Sequence, residues 1–169
     1  MSDNNSNNNN ISQENNNGID YSNEEYEISI YANDKETFNQ IPEIKQIKNP
    51  SLINNLQIRL SNLIHLKGLN VFVNLIHLDL SNNQITSLNK AFYSLTKLKF
   101  LNLSCNKVNS LDGIEDLENL EYLNASHNKI TTLSTFRKFI NKNNLNTINI
   151  KGNLIYDLKE FDNLVGFIK

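Results

Sequence analysis

Cys105 and His127 are the side chains whose types best suit chemistry, a thiol and an imidazole in equivalent places of two successive, similar stretches. Together they could ligate a metal ion or share a proton in nucleophilic catalysis. A metal site needs three or four converging ligands held by further hydrogen bonds. Only His77 offers a third ligand here, and the spacing is poor, so neither metal nor cofactor is expected. The 5 glycines form no phosphate-cradling loop. No Ser-His-Asp set, Cys-His set or pocketed pair of carboxylates can be assembled either. These residues point to a protein that is not an enzyme.

What positions them is a repeat, clearest from Leu98 to Leu120. Leu101 and Leu103 alternate with polar residues, as in a half-buried strand, and Asn106 and Val108 follow. Leu111, Ile114, Leu117 and Leu120 then recur every third place, which suits a tight 3₁₀-like coil more than an α-helix. One unit holds a short strand, a turn and a loosely helical return. The same ruler fits units beginning at Ile53, Leu75, Leu98, Leu120 and Leu145, with Ser61, Asn83, Asn106, Asn128 and Asn153 at the turn. The period is about 22 residues. Phe72, Phe92, Phe136, Phe139, Leu158 and Phe161 fall on apolar places of the returns, and Phe167 would open a sixth unit.

The pattern L-x-x-L-x-L-x-x-N-x-L, carried by Leu98, Leu101, Leu103, Asn106 and Val108, resembles the leucine-rich repeat. The unit length and the phrase from Leu111 to Leu120 resemble the subclass typified by a regulatory subunit of type-1 protein phosphatase. Similar repeats occur in an axonemal dynein light chain and in the U2 small ribonucleoprotein A-prime subunit. The resemblance covers about residues 41–169. It implies an α/β, right-handed solenoid, with a curved parallel sheet on the concave face and short helical or 3₁₀ returns on the convex face. It implies a protein partner and leaves that partner's identity open, because these relatives bind unrelated molecules. A phosphatase-regulatory or ciliary and cytoskeletal adaptor is one expectation. A ribonucleoprotein component, or a truncated repeat protein without its own function, is the alternative.

A solenoid follows from energetics as well. Each buried Leu, Ile or Phe contributes about 2 kcal/mol, too little for one isolated unit to offset the ordering of its backbone. Stacked units share apolar layers and fold together. Asn83, Asn106, Asn128 and Asn153 sit where the chain turns inward and can bond backbone groups that the turn leaves unpaired. Ser61 has one hydroxyl instead, so the first turn is expected to be looser.

Outward strand places then form three rows. The first is Asn55, His77, Phe100, Tyr122, Thr147; the second Gln57, Asp79, Asn102, Asn124, Asn149; the third Arg59, Ser81, Ser104, Ser126, Lys151. The candidate partner-binding set is Phe100, Tyr122, His77, Asp79, Asn102, Asn124, Arg59 and Lys151. Exposed aromatics on a sheet face act as binding anchors, or else stack on each other across strands. The asparagine row could read a partner's backbone, or form a ladder of mutually bonded amides. Asp112, Glu115, Asp116, Glu118 and Glu121 could meet a basic partner, or be a solvated face.

Composition bounds the rest. The 169 residues carry a formal net charge of -2, which does not imply direct nucleic-acid or membrane binding. No apolar run spans a membrane, and the N-terminus lacks a signal peptide's basic and apolar regions. With a single cysteine, a reducing compartment is expected: cytoplasmic, with nuclear or ciliary variants. Residues 1–25 read as a disordered Asn-rich tail, 26–52 as an N-terminal cap and half-repeat. Residues 53–169 read as five repeats with an incomplete sixth or a missing C-terminal cap. Leu164, Phe167 and Ile168 would leave an apolar layer there, so the chain is expected to be monomeric or to associate end to end.

Overall fold

Alternating apolar and polar residues set six strands. Tyr26–Tyr31 (β1), Ile53–Arg59 (β2), His77–Asp79 (β3), Phe100–Asn102 (β4), Tyr122–Asn124 (β5) and Thr147–Asn149 (β6) pair in that order into one parallel sheet. The computed structural model describes residues 26–31, 34–139 and 144–167. The tail expected over 1–25, most of the insertion expected near Asn141, and Ile168 lie outside the described residues.

Parallel neighbours need a crossover between each pair, and here every crossover returns over the same side of the sheet. The result is an α/β right-handed solenoid, with the curved sheet on its concave face and the returns on its convex face. The returns include 3₁₀ turns at Leu69–Val71, Ile114–Asp116, Ser134–Phe139 and Leu158–Phe167. A 3₁₀ turn repeats every three residues, which is why apolar side chains at spacing three share one side of the return. Among the described residues the one α-helix is Pro42–Gln46 (α1), opened by a proline whose missing N–H costs nothing there.

Layers of side chains fill the coil. Leu56, Leu78, Leu101 and Leu123 stand in register on successive strands and are fully buried, and Phe72, Phe92 and Phe136 fill the return side. β1 adds Ile30 to this core, and Phe38 meets Phe72 edge-on at 5.5 Å. Residues 26–52 thus contribute a strand as well as a return, and cover the first layer.

The other end differs from the sequence expectation. Leu158, given a core place by the repeat, is 81% exposed, and Phe161 is 43% exposed. Among the described residues no further coil packs on them. An apolar place in a repeat is buried only when the next unit supplies the other side of its layer.

Candidate functional site

The turn after each strand aims the concave face. Leu60, Asn82, Cys105 and His127 all take the left-handed conformation there, at φ 54–57°, and Gly152 follows at 71°. That conformation is strained for side-chain-bearing residues, at about 1 kcal/mol apiece. Cys105 and His127 are equivalent because the turn repeats. His127 packs so closely over Gly152 that a Cβ there would lie 2.7 Å from its Nδ1. Among the described residues no three His, Cys, Asp or Glu side chains are placed to hold a metal ion.

Behind this turn run the buried asparagines. Asn106 Nδ2 donates to the carbonyls of Leu80, Leu103 and Ser104, and its Oδ1 accepts from the Ile85 N–H. Asn128 does the same one unit later, with Leu103, Ala125, Ser126 and the Val108 N–H. Asn153 bonds Ala125, Ile150 and the Ile130 N–H. Asn83 Nδ2 finds Ile58, Leu80 and Ser81, but its Oδ1 is buried without a partner. The ladder is incomplete where Ser61 replaces asparagine.

On the open side the register brings the first outward row together, as Asn55, His77, Phe100, Tyr122 and Thr147. His77 and Phe100 stack with ring centroids 4.0 Å apart and planes 8° apart. Phe100 and Tyr122 stack at 4.5 Å and 3°. His77, which the sequence offered as a third metal ligand, is therefore the first ring of a three-ring column. All three rings are half-buried. Burial against its neighbours holds the His77 pKa below its ordinary value, opposed by Asp79 and Glu27 and assisted by Arg59.

The second row departs from the amide-ladder reading. From Asp79 onward each side chain bonds its own strand's exit: Asp79 Oδ1 accepts from the Ser81 N–H, Asn102 Oδ1 from Ser104, Asn124 Oδ1 from Ser126, Asn149 Oδ1 from Lys151. Asn102 and Gln57 reach sideways, Asn102 donating to Asp79 Oδ2 at 3.1 Å and Gln57 Nε2 to Glu27 Oε1 at 2.8 Å. The expected amide-to-amide ladder is absent among the described residues, because a local acceptor geometry two residues on competes better than a neighbour one strand away. The Nδ2 groups of Asn124 and Asn149 keep their donors free among the described residues.

Asp79 requires a correction. It lies in the outward row but is 2% exposed, gripped by Arg59 at 2.5 Å, Asn102 and Ser81. Burial alone would raise its pKa, yet the bonds from Ser81, Arg59 and Asn102 outweigh it and hold the carboxyl below its ordinary value. Asp79 braces the face and is not available to read a partner. Arg59 is half-buried through the same pair, while Lys151 stands exposed at the other end.

The acidic run is also partly neutralised. Lys138, from the following return, reaches Glu115 at 2.8 Å and Asp112 at 3.6 Å, and Lys99 pairs with Glu121 at 2.9 Å. One set of polar residues escaped the sequence reading. Asn74, Asn119 and Asn144 each donate a side-chain amide to a carbonyl of the preceding unit, at Ser51, Thr96 and Glu118. The signal was there, an Asn-Leu pair opening three units.

Comparisons agree with this geometry. The leucine rich repeat family matches residues 74–130. An internalin from Listeria monocytogenes superposes with a TM-score of 0.70 at 19% identity, covering 84% of this chain and 38% of its own. An internalin C2 from the same organism gives 0.58 at 23% identity, covering 83% of this chain and 78% of its own. A leucine-rich-repeat protein of Leptospira interrogans gives 0.57 at 27% identity, covering 69% and 30%. The chain thus spans well under half of the first and third of these. No curated protein matches it by sequence. Among the described residues no helix is long and apolar enough to cross a membrane.

Proposed function

We propose that this chain, a leucine-rich-repeat protein by its solenoid fold, is a non-catalytic scaffold that holds a protein partner against its concave sheet. The fold is one generally used for protein–protein interaction. The observation that carries the reading here is the aromatic column of His77, Phe100 and Tyr122 on the open face, half-buried in the free chain. Large rings with a solvated edge beside unused amide donors are what a binding hot spot is made of. The core would be as well filled without them, since Leu78, Leu101 and Leu123 lie on the other side of the same strands.

A phosphatase-regulatory or cytoskeletal adaptor role is the finer form of this reading. It rests on repeat length and on the phrase from Leu111 to Leu120. A cytoplasmic setting belongs to the same proposal and is supported by the exposed, unpaired thiol of Cys105. Affinity capture with the full chain, beside a Phe100→Ala, Tyr122→Ala variant of unchanged melting temperature, tests it. A partner retained by the first and lost by the second supports the reading. A partner held equally by both moves the contact elsewhere.

A further inference from the structure

The aromatic column ends in a step. Its rings turn their faces along the row, and the Cα partner of Tyr122 on β6 is Thr147, exposed and too small to cover a ring. Among the described residues one face of Tyr122 is therefore open above a gap one strand spacing wide, about 4.8 Å. The two ring separations already present are 4.0 and 4.5 Å, so the gap admits one flat group.

Charge selects among flat groups. Glu121 adjoins Tyr122, and the N–H groups of both donate to the Lys99 carbonyl. Glu121 also ends the acidic stretch of Asp112, Glu115, Asp116 and Glu118, in which Lys138 meets Asp112 and Glu115. The Lys99–Glu121 pair is half exposed on both sides, so a better-shaped cation can displace the lysine. Lys151 stands four residues beyond Thr147, in the third outward row at the exit of β6, where its N–H donates to Asn149 Oδ1.

We propose that the step over Thr147 seats an arginine side chain from an extended segment of the protein partner. This rests on the concave-face reading and names its chemistry. The planar guanidinium lies on the open face of Tyr122 and keeps its fork of donors for the Glu121 carboxylate. The free Nδ2 groups of Asn124 and Asn149 donate to main-chain carbonyls of the same segment. Lysine has the charge without the plane, and phenylalanine the plane without the charge.

The test titrates the isotope-labelled full chain with acetyl-Gly-Ser-Arg-Ser-Gly-amide, and with peptides carrying lysine, citrulline or phenylalanine in place of the arginine. The arginine peptide is expected to bind about fivefold tighter than the lysine and citrulline peptides. The largest chemical-shift changes are expected at Glu121, Tyr122 and Thr147. Thr147→Tyr fills the step with the chain's own ring, and should erase the preference for arginine without lowering the melting temperature. Thr147→Val should keep it. Equal binding of lysine, tighter binding of phenylalanine, or no arginine-dependent shift at millimolar concentration overturns the proposal. If a captured partner still needs Phe100 and Tyr122 but tolerates Thr147→Tyr, the concave-face reading stands and the arginine step alone falls.

Discussion

Two rows of amides run along this sheet four residues apart, and they have opposite fates. Asn106 and Asn128, behind the turn, spend every donor and acceptor on backbone groups of their own and neighbouring units. Asn124 and Asn149, in front of it, fasten one oxygen to their own strand's exit and leave the nitrogen unspent. The chemistry is the same and the burial differs. An unmet donor behind the turn would cost its full desolvation, while one in front is served by water until something better arrives. Amides spent on the fold and amides left open to solvent are thus separated within four residues of the same chain.

The buried row should break most severely. Asn106→Ala orphans the Ile85 N–H and leaves the Leu80 and Leu103 carbonyls with one amide donor each, from Asn83 and Asn128, and is expected to lower unfolding free energy by about 2 kcal/mol, read by urea denaturation. Asn83→Ala should cost about 1 kcal/mol less, because its Oδ1 already lacks a partner. Equal losses at the two sites would mean that the gap at Ser61 is of no consequence.

On the open face the effects should fall on binding. Tyr122→Ala is expected to weaken the partner complex by about 2 kcal/mol, measured by calorimetry. Its stability should drop by less than about 1 kcal/mol, the worth of a cross-strand stack. Asn124→Ala should lower stability by about 1 kcal/mol, since it forfeits two part-buried bonds, from the Ser126 N–H and hydroxyl.

The smallest effect is a pH dependence. His77 has a lowered pKa when folded, so the unfolded chain takes up its proton first as the medium is acidified. Its contribution is complete above the ordinary histidine value, about 6.5, and is lost as pH falls through the folded pKa. A modest decline in melting temperature from pH 7 to pH 5 should become shallower in His77→Phe. The depressed carboxyl of Asp79 acts the same way at lower pH, keeping stability above its ordinary range and losing it in stronger acid.

Much of this was legible from residues alone. The period of two around Leu101 and the period of three after Val108 locate strand and return, and the shared register follows once one unit is superposed on the next. Phe100 and Tyr122 are recognisable as outward neighbours for the same reason. What pattern could not carry is what arrives from another unit. Asp79 looks exposed in its own strand and is buried by Arg59 and Asn102, 20 and 23 residues away. Lys138 neutralises Glu115 from 23 residues off. The place of His77 in the outward row is legible, while its ring orientation depends on Phe100 in the next strand. Leu158 holds a core place in the repeat pattern and is exposed all the same, because burial depends on contacts from beyond its own unit.

The most direct test of the claim that the open sheet grips a partner is amide hydrogen exchange on the full chain, free and in complex with the partner it captures. Protection concentrated in residues 99–104, 121–126 and 146–151, with the returns around 112–119 unchanged, is the predicted result. Protection confined to the convex returns, with Phe100 and Tyr122 exchanging as in the free chain, would contradict it.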